Sequence, residues 1–375
     1  MNSLKIALSV GEKSGDYLGA SLIKSIKNQF PEAIFIGLAG EEMKKEGVNS
    51  LFPIEDLSVM GLIDPLMNLK KIFKRRRELI NYIIQEKPDI FIGIDSPSFN
   101  SGIAKKLKIK TSIKTIQYVC PQFWAWRRGR VKNFKNYLDH IFTLFPFESK
   151  LLEEEGVSAN FTGHPLADLF DLELDKDRAK ENMKWNSNEK YVALLPGSRK
   201  SELKHHLGLL IDVAKEFKEK RPDFKFVLSL TNESRIESKE FSNSENIIIK
   251  RGVTRDVLRA SDYALIASGT ASIEALFSKT PCCVLYKSNT FSNLILSSLL
   301  NIEFISLPNI LANKKIIPEL RQKNVSVENI CNQLNKLVSS SNEQMIDSFR
   351  EIHKTLKNED EEKFIKPIKN IINTV

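Results

Sequence analysis

Asp95 stands in GIDSPSFN (93–100), directly after the apolar run IFIGI and before Ser-Pro. A carboxylate at the exposed end of a buried strand can take a proton from an attacking hydroxyl, the more readily where partial burial raises its pKa. The same position suits an Asx-turn or an N-cap for the next helix, and the residues alone leave both readings open. LLPGSRKSEL (194–203) has the same grammar, an apolar strand end, a Pro-Gly-Ser break, then the start of a polar helix. Backbone N–H groups at Gly197 and Ser198, with the Arg199 guanidinium beside them, suit a diphosphate, because the helix start supplies directed donors and arginine binds two oxygens at once. The alternative for Arg199 is a surface ion pair.

ASGTASIEAL (267–276) repeats that corner, with Ser268, Gly269 and Thr270 at a helix start and Glu274 within its first turns. Carboxylates commonly bind vicinal ribose hydroxyls, although Glu274 would also simply complement the helix dipole. Two such corners in one half of the chain suggest a nucleotide diphosphate. GEKSGD (11–16) follows the first apolar run, and its Gly11, Ser14, Gly15 and Asp16 offer a tight approach to an anion or a sugar hydroxyl, or else a helix cap. PQFWAWRRGR (121–130) sets Trp124 and Trp126 beside Arg127, Arg128 and Arg130, a group able to stack on a sugar, hold a phosphate or pack between domains. His164 in TGHP reads as a structural hydrogen-bonding residue, and His205 and His206 as solvent-facing.

Several chemistries are disfavoured. GEKSGD is not GxGxxG, PGSRKSE lacks the Gly-Lys-Ser/Thr ending of a triphosphatase loop, and no HExxH or Asp-x-Asp appears, so neither a dinucleotide, nor any other cofactor, nor a metal is expected. The four cysteines, Cys120, Cys282, Cys283 and Cys331, have no ligand spacing.

The elements that must carry these loops follow from periodicity. Apolar runs alternate with helical spacing: KIALSV (5–10), IFIGLAG (34–40), DIFIGID (89–95), TIQYVC (115–120) and HIFTLF (140–145), then, after a charged stretch near 170–190 that reads as a linker, YVALL (191–195), KFVLSL (225–230), NIIIK (246–250), YALIAS (263–268) and CCVLYK (282–287). Near-continuous apolarity suits parallel strands covered on both faces. The fold class is therefore α/β, two Rossmann-like parallel-sheet domains with an interdomain cleft. The boundaries expected are 1–168, 169–342 and a helical tail, 343–375, with a return of the tail to the first domain left open.

The chain of 375 residues carries a net charge of +9, with 42% hydrophobic and 27% charged residues. An anionic partner fits this charge, but aromatic and basic residues do not interleave as in RNA binders, and no nucleic acid is expected. No apolar run is long enough to cross a bilayer and the first residues do not read as a signal peptide, so a cytoplasmic place is expected. The segment 57–79 sets Val59, Met60, Leu62, Ile63, Leu66, Met67, Leu69, Ile72 and Phe73 beside Lys70, Lys71, Lys74, Arg75, Arg76 and Arg77. It fits either an anionic membrane surface or a core-facing helix with a solvated basic side.

Taken in order, GEKSGD, VMGLIDPL, IGIDSPSFN, PQFWAWRRGRV, FPFE, TGHPLAD, LLPGSRKSE, ASGTASIEAL and SLPNILA resemble the lipid-A-disaccharide synthase family from residue 6 to about residue 320. The resemblance implies the GT-B glycosyltransferase architecture and inverting, metal-independent transfer. The donor implied is UDP-2,3-diacylglucosamine, the acceptor 2,3-diacylglucosamine 1-phosphate, and the product a β-1,6-linked disaccharide 1-phosphate plus UDP, made by an enzyme peripherally associated with the inner membrane. It places Asp95 at the catalytic base and Arg199, Glu274 and Asn309 at the donor. Ser98 stands where the family commonly has a second acid, which leaves Asp95 the better candidate. Gln122 and Phe123 replace the usual Ser-Val before Trp-Ala-Trp-Arg and bear on the acceptor side. Alternatives are another UDP-N-acetylglucosamine-using transferase or epimerase of this architecture, or a noncatalytic binder of nucleotide-linked lipid. Oligomeric state is not legible.

Overall fold

The computed structural model describes residues 3–57, 65–121, 128–232, 234, 247–267, 269, 271–287, 303–357, 360 and 362–373. The chain divides into two compact units, Met1–Pro165 with Lys357–Val375, and Leu166–Leu356.

The first unit holds strands β1 (Lys5–Val10), β2 (Ile34–Leu38), β3 (Asn49–Ser50), β4 (Ile90–Ile94), β5 (Lys114–Tyr118), β6 (His140–Thr143) and β7 (Ala159–Phe161), in the order β3-β2-β1-β4-β5-β6-β7. Every pairing is parallel. Ile6, Leu8, Phe91, Ile92, Ile116 and Phe142 are fully buried in it, as an apolar run covered on both faces requires. Strand order reverses between β1 and β4, the place where ligands of open parallel sheets commonly sit. The C-terminal helix Glu362–Ile372 belongs to this unit: Phe364 is buried edge-on against Tyr118 and Phe142, with centroids at 5.3 and 5.2 Å.

The second unit repeats the plan with β8 (Lys190–Leu195), β9 (Phe224–Leu230), β10 (Ile247–Arg251), β11 (Tyr263–Ala267), β12 (Cys282–Tyr286) and β13 (Glu319–Arg321), again parallel, in the order β10-β9-β8-β11-β12-β13. Its reversal lies between β8 and β11, the strands that end at Pro-Gly-Ser-Arg and Ser-Gly-Thr. Helices Lys200–Lys220 and Val327–Ser339 close one side of its core through Leu210, Val213, Phe217, Ile330 and Leu334. The helix Glu343–Leu356 is part of this unit too, so the helices after residue 343 divide between the units.

The charged stretch near 170–190 is not an open linker. It contains the helix Lys176–Asn182, Trp185 stacks on Tyr191 at 4.3 Å, and Lys180 is buried, its Nζ 3.1 Å from Asp262 and donating to the Glu189 carbonyl. Charge content misleads here because two of the lysines, Lys176 and Lys180, are spent on internal partners, the Ser261 carbonyl and Asp262. Lys279 works similarly, donating to the carbonyls of Asp171 and Phe277 and to His353 Nδ1.

Candidate active site

Asp95 follows β4 at the reversal point of the first sheet, half-buried, with φ of +50°, and Ser96 after it has φ of +40°. Two successive non-glycine residues in the left-handed region cost about 1–3 kcal/mol each, and such strain persists only where the surroundings hold it. The helix Pro97–Lys110 begins immediately after them. The GEKSGD loop, after neighbouring β1, packs onto this corner. A Cβ on Gly11 would lie 2.4 Å from Ser96 Oγ, and one on Gly15 would lie 3.2 Å from Asp95 Cβ and 2.6 Å from Val10, so glycine at both positions is what permits the approach. Ser14 Oγ donates toward Asp95 Oδ2 at 3.4 Å.

Asp16 acts as a helix cap, but for a helix other than its own. Its buried carboxylate accepts from the N–H groups of Gly40 (2.9 Å), Glu42 (2.8 Å) and Met43 (3.1 Å), capping the short helix Glu41–Lys45. Its oxygens are therefore spent on backbone rather than open to a sugar. Trp126 and Arg127 lie outside the described residues.

In the second unit Gly197 adopts φ of +99° and leads into the helix Lys200–Lys220. Of the N–H groups expected to be open to an anion, that of Ser198 donates to Glu202 Oε2 at 2.9 Å, and Arg199 N donates to the same oxygen at 3.1 Å. The signal was in the sequence, an acid three residues after the cap position, as in a capping box. The Arg199 side chain remains 81% exposed, with only a 3.7 Å approach to Glu202. His206, expected at the surface, is buried. Its Nδ1–H donates to the Glu202 carbonyl at 2.8 Å and its Nε2 accepts from Lys287 N at 3.2 Å, and burial pushes its pKa below the usual value. It ties this helix to the end of β12.

Gly269 has φ of +131° and stands before the helix Ala271–Phe277, which carries Glu274; Ser268 and Thr270 lie outside the described residues. Glu274 lines a cavity of about 660 Å³ with Thr231, Asn232, Val253, Thr254 and Arg255 at the carboxyl ends of β9 and β10. Burial raises the Glu274 carboxyl above its usual range, opposed by the Arg255 guanidinium 3.9 Å away. The lining from the RGVTRD stretch (251–256) is not evident from sequence, since its local mark is Gly252 at a strand end.

Asn309 is fully buried. Its Nδ2 donates to the Ile317 carbonyl (3.0 Å) and Glu319 Oε1 (2.9 Å), and its Oδ1 accepts from the N–H groups of Ile316 (2.8 Å) and Ile317 (2.9 Å). Glu319 also accepts from Ser306 N and Oγ and from Arg321. Burial alone would raise its carboxyl, yet these donors hold it below the usual range. The SLPN corner is thus a closed polar lattice in which Asn309 shapes the loop.

Burial holds the His164 pKa down to about 4, which leaves a neutral imidazole at physiological pH. Of the segment 57–79, residues 58–64 and the side chains of 65–69 lie outside the described residues. On the helix Pro65–Glu86, Lys71 and Arg75 pair with Asp56, at 3.0 and 2.5 Å, while Phe73 stays exposed with the Arg76 guanidinium 4.7 Å from its ring centre.

A sequence model of the lipid-A-disaccharide synthetase family matches residues 6–368. The lipid-A-disaccharide synthase of Idiomarina loihiensis is 40% identical over 357 residues, 94% of each chain. That of Pseudomonas fluorescens is 41% identical over 360 residues, 95% of each. Among solved structures, the UDP-GlcNAc 2-epimerase of Neisseria meningitidis bound to UDP-GlcNAc superposes with a TM-score of 0.66 at 13% identity, covering 99% of this chain and 100% of that one. The calicheamicin glycosyltransferase superposes at 0.62 and 10% identity, covering 100% of both. At these identities the two structures speak for the fold, a pair of Rossmann-like domains of the GT-B kind.

Proposed function

Since the chain belongs to the lipid-A-disaccharide synthetase family, we propose that it transfers 2,3-diacylglucosamine from UDP to the 6-hydroxyl of 2,3-diacylglucosamine 1-phosphate, with inversion. The observation that carries this reading is the match over nearly the whole chain, supported by a carboxylate at the reversal point of one sheet and a carboxylate-lined cavity beside the other's strand ends.

Inversion is a single displacement and needs one base. Asp95 takes the proton of the acceptor's 6-hydroxyl as that oxygen bonds to the anomeric carbon, and the bond from that carbon to the β-phosphate oxygen breaks. The electron pair leaves on UDP, whose growing charge the exposed Arg199 guanidinium meets with two donors. Glu274 accepts from the ribose hydroxyls in the 660 Å³ cavity. Gly197, Ser198, Gly269 and Asn309 shape the donor loops, with Ser268 and Thr270 as further donor contacts, and Gly11, Ser14 and Gly15 form the acceptor side next to Asp95. The acceptor is a lipid, and the exposed Phe73 with the basic residues around it supports association with the cytoplasmic face of the inner membrane. No helix among the described residues is long and apolar enough to cross a membrane.

The test compares UDP-glucosamine donors with and without acyl chains. Preference for the acylated donor is expected, and equal use of both overturns the lipid reading.

A further inference from the structure

The Asp95 carbonyl is gripped from inside the sheet. Asn100 Nδ2 donates to it at 2.8 Å and Gln117 Nε2 at 3.0 Å. Both side chains are buried, Asn100 at 0% exposure and Gln117 at 3%. The Asn100 amide also meets the carbonyls of Ile94 (3.2 Å) and Ser9 (3.3 Å), and the Gln117 amide those of Tyr118 (3.1 Å) and Val119 (3.3 Å). Val119 is itself left-handed, with φ of +73°, so these two amides join the strained ends of β4 and β5. Room for them comes from Gly93, which pairs with Gln117 across the sheet. A Cβ there would lie 2.7 Å from Asn100 Cβ and 3.0 Å from Gln117 Oε1. Buried amides spent on one strained corner are costly unless they hold something that must not move.

We propose that Asn100 and Gln117 are positioning residues that hold the Asp95 backbone in its left-handed conformation and so aim its carboxylate at the acceptor hydroxyl. This rests on the reading of Asp95 as the base. Neither amide touches substrate. Each acts through the Asp95 carbonyl, and the side chain follows the backbone it is attached to.

The test is kinetics of the purified full-length chain carrying Gln117→Met, Asn100→Asp, Asp95→Asn, or Gln117→Met together with Asp95→Asn, with UDP affinity read by calorimetry. Gln117→Met keeps the volume and removes the donor, and Asn100→Asp turns an acceptor toward three carbonyls. Each is expected to lower kcat about 10- to 100-fold, the scale of a misplaced catalytic group, with UDP affinity unchanged. Adding Gln117→Met to Asp95→Asn is expected to cost nothing further, because the group being aimed has already lost its function. If Asn100→Asp does not fold, the Gln117 variants decide alone. A Gln117→Met kcat within about two-fold of the parent's, or full extra loss in the double variant, overturns the positioning role. Full transfer by Asp95→Asn overturns the base assignment itself. An inactive Asp95→Asn beside an unimpaired Gln117→Met removes only the inference about the amides.

Discussion

Arg199 keeps its guanidinium exposed while its own N–H is tied to Glu202, so under the proposed function a diphosphate would meet its side-chain charge and not its backbone donor. Arg199→Ala is therefore expected to weaken UDP binding by about 1.5–3 kcal/mol, the range for hydrogen bonds to charged groups. Calorimetry showing unchanged affinity contradicts it. Asp95→Asn is expected to raise the transfer barrier by about 2–5 kcal/mol while UDP binding persists, because general-base removal costs rate and not donor contacts. Loss of UDP affinity in that variant would count against its assigned role. The place of Asp95 at the end of a buried strand was legible from IFIGI, although its task was not, since the same position suits an Asx-turn or an N-cap. The contacts of Asn100 and Gln117 were not legible either, because an amide that holds a carbonyl 5 or 22 residues away looks in sequence like any other core amide. The Glu202 cap was legible in PGSRKSE and turns the open anion corner into a partly self-satisfied one.

At the scale of elements, the long strands could be read because parallel strands covered on both faces must be apolar almost throughout. The short edge strands β3, β7 and β13 escaped, since two or three residues carry no period. Two carboxylates replace local caps with distant ones. Asp16 satisfies three N–H groups at the start of Glu41–Lys45, and Glu319 serves Ile305, Ser306 and Asn309 before and within Leu307–Ala312. Asp16→Ala is expected to destabilise the first unit by about 1–3 kcal/mol, the cost of leaving buried donors unpaired. Denaturant melts within 0.5 kcal/mol of the parent's, a margin of about the size seen for neutral surface changes, would show that water replaces the carboxylate.

For the whole molecule, acid is the weak side. His164 has its pKa lowered by burial to about 4, and His140 and His206 are lowered in the same direction by the same cause. A depressed histidine favours the neutral, folded form. Its contribution is complete above the unfolded value near 6.5 and is lost as pH falls through the folded value, about 4 for His164. Melting temperature is thus expected to fall steadily between about pH 6.5 and 4, and His164→Phe to flatten that slope. An unchanged slope would assign the acid sensitivity elsewhere.

Glycosyl transfer between two acylated glucosamines is checked by mass spectrometry of the product from synthetic UDP-2,3-diacylglucosamine and 2,3-diacylglucosamine 1-phosphate. The prediction is one new species with the mass of both sugars and a single phosphate, formed in step with free UDP. Donor that is merely epimerised or hydrolysed, with the acceptor recovered intact, would contradict it.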